Sequence, residues 1–262
     1  MVRRLLSRKL LFFNRLNMGL SIDKILSATA DMVGSLHKQF PAKHLDIGPG
    51  HGDLIQLLRT RFDVKSSGCD YTDSLMRIED FSVDVANLSV EKLPYEDCAY
   101  DLITCTEVLE HLEHYRETLR EVHRVLRSGG TFVLTTPNIL NMKSRVRFMA
   151  CGFYNLFGPM HFNESELHEA GGHINPIGLF YLAHSLVDAG FKDIQVSIDK
   201  RQGTSIFWLI WLYLPIKIAY FFTKRREMSR YQSIDRHNEP YVDMVNRIDI
   251  MLGRTLVVGC RK

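Results

Sequence analysis

The chain has 262 residues, 45% of them hydrophobic and 24% charged, which is ordinary for a globular protein of one large domain or of a domain carrying an insertion. A formal net charge of +3 is too small to point to nucleic acid as a partner. Five cysteines (Cys69, Cys98, Cys105, Cys151 and Cys260) form no C-x-x-C pair and are odd in number, which argues for reduced thiols in a cytosolic compartment.

Charge is unevenly spread. Met1 to Leu20 carries Arg3, Arg4, Arg8, Lys9 and Arg15 and no acid. Leu5, Leu6, Phe12, Phe13 and Leu16 recur between them at roughly helical spacing, so residues 1–39 read as a basic amphipathic helical segment of the kind that binds membrane surfaces. Arg8 and Lys9 interrupt the apolar run and no small-residue cleavage site follows, so a signal peptide is not expected.

The stretch His44-Leu45-Asp46-Ile47-Gly48-Pro49-Gly50-His51-Gly52-Asp53 is the most informative of the chain. A short apolar strand ends in a turn with glycines at alternate positions, and the apolar run Leu54 to Leu58 then reads as a helix. Glycine permits positive φ and lets a ligand approach the backbone. Strand, glycine turn and helix form a nucleotide-cofactor site at the end of a parallel strand. Asp53 stands where the dinucleotide fingerprint places its last glycine, and no lysine follows to make a phosphate loop.

Strand and helix patterns then alternate. Val64 to Asp70, Phe81 to Val85 and Tyr100 to Thr106 read as strands, and Glu107 to Leu126 as one long helix ended at Ser128-Gly129-Gly130. Thr131 to Thr135 is a fifth strand, Phe180 to Ala189 a helix, and Ile194 to Ile198 and Thr255 to Cys260 the last two strands. Strands separated by helices predict a mostly parallel sheet covered on both faces. On the predicted helix, Glu107, Glu110 and His111 share a face, which His114 extends by a turn.

Two segments do not fit the sheet. Residues 141–175, rich in Phe, Met, Gly and His, read as a lid insertion; His161 and His173 lie within it. Residues 202–252 form an apolar and basic insertion between the last two strands. Within it Thr204 to Thr223 (TSIFWLIWLYLPIKIAYFFT) carries one charge, Lys217, and is long enough to span a bilayer. Both ends must return to one sheet, so a single crossing is excluded. An in-plane helix or a shallow hairpin broken at Pro215 remains, with Lys224, Arg225 and Arg226 meeting anionic headgroups. A lid or dimer contact is the alternative.

Read together, the blocks LDIGPGHGDL (45–54), GCDYTDSLM (68–76), EKLPYEDCAYDLITCTEVLEHL (91–112), LREVHRVLRSGGTFVLTTPN (119–138) and LVDAGFKDIQV (186–196) resemble the class I S-adenosylmethionine-dependent methyltransferases. Within that class they are similar to the small-molecule O-methyltransferase branch that includes ubiquinone-pathway enzymes. The resemblance covers residues 40–200 and, with 253–262, implies an α/β, Rossmann-like seven-stranded sheet, mostly parallel with an antiparallel last strand and helices on both faces. It implies that Asp46 and the backbone at Gly48, Gly50 and Gly52 hold the methionine end of S-adenosylmethionine. Asp70, with Tyr71 beside it, would take the ribose hydroxyls, and Asp84 the adenine amino group, although Ser89 occupies the spacing at which many relatives carry that acid.

The E-x-x-E-H pattern resembles members that hold a divalent metal ion. Glu107, Glu110, His111 and His173 are the candidate ligands here, while His111, Glu110 and Glu107 are the candidate catalytic residues, His111 as general base or as a ligand. Acids in a first helical turn also favour the helix dipole without any metal. The expected function is methylation of a hydroxyl on a small-molecule, lipid-linked or glycan acceptor, at the cytoplasmic face of a membrane, with no nucleic acid involved. Two other classes stay open: a nicotinamide-dependent oxidoreductase, disfavoured by the absent third glycine, and a non-catalytic membrane adaptor retaining the fold.

Overall fold

The computed structural model describes residues 22–159 and 172–262. The amphipathic pattern of Met1 to Leu20 and the candidate ligand His161 lie outside the described residues.

Helix α1 (residues 22–36) precedes β1 (Ala42–Ile47), α2 (Asp53–Arg61), β2 (Val64–Asp70), β3 (Val83–Val85) and β4 (Tyr100–Thr106). A 3₁₀ turn (Leu109–His111), α3 (Tyr115–Val125), β5 (Leu126–Pro137), α4 (Met142–Cys151), α5 (Leu179–Asp188) and β6 (Lys192–Ile198) follow. The chain ends with α6 (Gly203–Arg226), a π turn (Glu227–Tyr231), α7 (Glu239–Met244), α8 (Ile248–Leu252) and β7 (Thr255–Arg261). The sheet order is β3-β2-β1-β4-β5-β7-β6, with β7 antiparallel to both neighbours and the other pairings parallel.

Successive strand residues point to opposite faces, and both faces are apolar. Ile103 and Phe132 pack under α3 and α5 with Leu119, Val122, Leu182 and Leu186. Their neighbours Leu102 and Val133 join Val33 and Leu36 of α1 and Leu54 and Leu58 of α2 on the other face. The chain leaves β1 in one direction to β2 and β3, and β4 returns on the other side of β1. That reversal opens a crevice at the carboxyl ends of β1 and β4.

Three sequence expectations are corrected. Glu107 to Leu126 is not one helix. Glu107 takes a left-handed φ of 54°, the 3₁₀ turn follows, Leu112 is extended, and α3 starts only at Tyr115. His114 therefore N-caps α3 and is exposed, off the turn that carries Glu110 and His111. The Ser128-Gly129-Gly130 run belongs to β5, where Gly129 and Gly130 exchange backbone hydrogen bonds with Lys262. Pro215 does not break the apolar insertion into a hairpin, because α6 runs through it for 24 residues.

Candidate functional site

The crevice holds a cavity lined by Gly48, Asp70, Asn87, Leu88, Glu107 and His111. The glycine turn shapes one wall. Gly48 has φ +70°, and a Cβ there would lie 2.3 Å from Cγ2 of Val108, so no side chain fits between the turn and the loop after β4. Gly52, with φ +87°, caps α2 and accepts the amide of Gln56 at 3.0 Å.

Asp70 ends β2 and is 9% exposed. Its Oδ1 accepts the Tyr71 amide at 2.7 Å, and the amides of Gly50 and Thr72 also point to the carboxylate. Burial raises its pKa and these amides restrain the rise. Asp46 lies deeper, at 0% exposure. The Thr104 hydroxyl donates to its Oδ1 at 2.6 Å, so the Thr104 hydroxyl oxygen must itself accept from His44 Nε2 at 2.8 Å. His44 Nδ1 then accepts from Ser66 at 3.0 Å, and burial holds the imidazole neutral, its pKa pushed down to about 3. Oδ2 of Asp46 is buried and without a partner among the described residues, and burial pushes the carboxyl up to about 7. A buried oxygen lacking a donor suits a cationic ligand group.

The acids and imidazoles come together differently from a shared helix face. Glu107 accepts the Thr135 hydroxyl at 3.0 Å while its own amide donates to the same hydroxyl oxygen at 3.1 Å. Burial pushes its carboxyl up to about 7. Glu110 is fully buried, accepts the Thr136 hydroxyl at 3.2 Å through Oε2, and has no partner for Oε1 among the described residues. Burial, then the neighbouring Glu107, raises its pKa well above the usual carboxylate range. Its backbone carbonyl accepts the amides of Ile174 and Asn175, both at 2.9 Å, and the Asn175 side chain donates to the Leu112 carbonyl. These bonds seat His173 beside the turn. The His111 and His173 rings meet edge to face at 4.8 Å, with Phe157 5.2 Å from His173. Burial lowers both imidazole pKa values, His173 to about 4.

One ligand atom each from Glu110, His111 and His173 lies within 4.8 Å of the others. Two neutral imidazoles and a carboxylate with an unpartnered oxygen suit a divalent metal. Glu107, also expected as a ligand, is not in this group.

A model of a family described as "Methyltransferase domain" matches residues 14–196. The chain belongs to the methyltransferase-domain family. The class I S-adenosylmethionine-dependent resemblance read from the five sequence blocks therefore holds, and its seven-stranded sheet is the one observed.

The chain is 34% identical over 171 residues to a probable S-adenosylmethionine-dependent methyltransferase of Mycolicibacterium smegmatis, covering 61% of this chain and 58% of the relative. It is 31% identical over 120 residues to a sarcosine/dimethylglycine N-methyltransferase of Halorhodospira halochloris, covering 42% and 43%. The chain spans about half the length of these two curated relatives. A demethylmenaquinone methyltransferase of a Geobacillus species is 25% identical over 201 residues, covering 70% of this chain and 85% of that one. Among solved structures, a SAM-dependent methyltransferase from Archaeoglobus fulgidus superposes with a TM-score of 0.55 at 15% identity, over 90% of this chain and 94% of that one, which shows the shared fold.

Of the cofactor-binding residues expected for such a chain, Gly48, Asp70 and Tyr71 line the cavity. Asp46 is buried behind the glycine turn. Asp84 is not in the cavity lining; its Oδ2 accepts the Tyr95 hydroxyl at 2.8 Å. Asn87 and Leu88, three and four residues later, take that wall. The shortness of β3, which stops at Val85, was the missed signal: the chain turns into the cavity after the strand ends. Thr135 and Thr136, which hold the two glutamates, were also missed, although adjacent threonines near a strand tip are a legible source of donors.

Proposed function

We propose that this chain transfers a methyl group from S-adenosylmethionine to a hydroxyl of a small-molecule, lipid-linked or glycan acceptor. The observation that carries the reading is that His111 shares one cavity with Gly48 and Asp70. Gly48 and Gly50 give the backbone of the cofactor cradle, Asp70 accepts vicinal hydroxyls, and Oδ2 of Asp46 suits an ammonium group. When bound, the cofactor supplies a sulfonium-activated methyl.

His111 supplies the base. Its Nδ1 lies 3.0 Å from the Gly172 carbonyl and must donate to it, which leaves Nε2 of the neutral ring as a proton acceptor. The apolar side chains of Leu88, Val108 and Leu112 line that cavity and would limit water around the reacting pair. The name of the demethylmenaquinone methyltransferase supports an amphiphilic acceptor.

The orphaned Oε1 of Glu110 favours a second reading of the base, in which Glu110, His111 and His173 hold a divalent ion that acidifies the acceptor hydroxyl. The test is incubation of full-length protein and labelled S-adenosylmethionine with a lipid extract, followed by mass spectrometry of the labelled product. An O-methylated product that disappears with His111→Ala supports the proposal. Absence of saturable S-adenosylhomocysteine binding overturns it. Manganese titration of Glu110→Gln separates the two bases: a thermal shift lost in the variant supports the metal.

A further inference from the structure

Helix α6 is apolar around most of its circumference, yet the body covers little of it. Four polar side chains tether one side of it to the body, beside the partly covered Trp208, Leu209, Leu212 and Ile216. Ser205 is buried against Asn141 and Gln202, the Lys217 ammonium donates to the Asn246 carbonyl at 3.3 Å, and the Tyr220 hydroxyl donates to Asp243 at 2.6 Å. Lys224 pairs with Asp243 at 2.7 Å and Glu239 at 2.8 Å. The opposite side is apolar and outward: Ile210 is 73% exposed, Trp211 68% and Leu214 65%, with Phe207, Phe221 and Phe222 also exposed. The helix α4 that packs along it exposes Phe148 and Met149.

We infer that the outward face of α6 docks in the plane of an anionic lipid bilayer, with Ile210, Trp211 and Leu214 among the acyl chains and Arg225 and Arg226 on the headgroups. Charge selects the occupant. Residues 203–226 contain no acid, the helix ends in Lys224-Arg225-Arg226, and Arg226 and Arg230 both pack on the Tyr231 ring. Geometry selects the orientation. The polar tethers run from Ser205 to Lys224, about 29 Å of helix at ~1.5 Å per residue, so a crossing would drag Asp243, Glu239 and Asn246 into hydrocarbon. The segment after α4 leads to Phe157 against His173, so the docked face and the candidate site are joined by a few residues of chain. The inference rests on α6 and stands apart from the methyl-transfer reading.

Both tryptophans of the chain, Trp208 and Trp211, lie on α6, which gives the probe. Full-length protein, with Trp208→Phe to leave Trp211 alone, is mixed with phosphatidylcholine vesicles with or without phosphatidylglycerol. The expected result is flotation and a blue-shifted Trp211 emission on the anionic vesicles, quenched more by bromines near the headgroups than by bromines at the bilayer centre. The double variant Ile210→Glu/Leu214→Glu is expected to lose vesicle partitioning by at least about tenfold while keeping its circular dichroism and its S-adenosylhomocysteine affinity. Binding retained by that variant, equal binding to both vesicle types, quenching strongest from the bilayer centre, or self-association without vesicle binding would each overturn the inference.

Discussion

The Gly172 carbonyl fixes the tautomer of His111. Their 3.0 Å contact consumes Nδ1–H, and burial keeps the ring neutral, so Nε2 is the basic atom of the site. His111→Ala is expected to lower kcat by about 10²- to 10⁴-fold, the range for a general base, with S-adenosylhomocysteine affinity within about threefold of wild type. Stopped-time assays of S-adenosylhomocysteine release, paired with calorimetry of product binding, check both halves. An equal loss of kcat and product affinity would give His111 a structural role only.

Asp70 is expected to act on affinity instead. Asp70→Ala removes a charged acceptor and also leaves the amides of Tyr71, Gly50 and Thr72 without their common partner. The expected cost is about 1.5–3 kcal/mol, roughly a 10- to 150-fold rise in the S-adenosylhomocysteine Kd by calorimetry. Asp84→Asn, which perturbs only a partner of Tyr95, is expected to leave that Kd near wild type.

Much of the fold was legible because the signals were local and periodic. The glycine turn marked the end of β1, and Val64 to Asp70 and Tyr100 to Thr106 coincide with β2 and β4. The break between Glu107 and Tyr115 was hidden because its apolar spacing, Val108, Leu109 and Leu112, is also that of a helix, and the left-handed Glu107 gives no composition signal. The meeting of His173 with His111 depends on two amides bonding the Glu110 carbonyl across more than sixty residues of sequence, a contact that no local pattern encodes. The polar tethers of α6 were illegible for the same reason. Lys217 and Tyr220 look like interruptions of an apolar run until Asn246 and Asp243 are seen opposite them.

Cofactor binding is expected to depend on pH through Asp46. Its folded pKa of about 7 lies above the ordinary 3.8, so its contribution to stability is fully present below 3.8 and is lost as pH rises through about 7. The sign reverses for a ligand bearing an ammonium group, which favours the ionised carboxylate. Affinity for S-adenosylhomocysteine is expected to rise with pH up to about 7 and then level, by at most about tenfold per unit. His44, neutral with its pKa near 3, does not titrate in this window, and Asp70 opposes ionisation of Asp46. Asp46→Asn is expected to bind more weakly and to flatten the profile. Calorimetry across the pH series reads both.

Arg145 ties α4 to the segment before α8. Its guanidinium donates to the Leu140 carbonyl at 2.7 Å, the Asn246 side chain at 2.8 Å and the Val245 carbonyl at 2.7 Å, and burial lowers its pKa to about 10. Arg145→Ala strands three acceptors and is expected to destabilise the fold by about 2–4 kcal/mol in urea unfolding. Arg145→Lys restores one charge but not the three-way fork, so it is expected to recover less than half of that loss.

Gly48 tests whether the cofactor turn is held by sterics. Alanine there must keep φ near +70° and place its Cβ 2.3 Å from Val108 Cγ2. The backbone strain and the overlap together are expected to cost about 2–4 kcal/mol of stability, with weakened S-adenosylhomocysteine binding as the turn shifts. Adding Val108→Ala removes the overlapping methyl and leaves the strained φ. The double variant is therefore expected to regain part of the stability lost by Gly48→Ala. Urea unfolding of the wild type, the two single variants and the double variant measures the coupling. Strictly additive losses would mean that Val108 does not press on the turn and that the glycine is required for its dihedral angle alone.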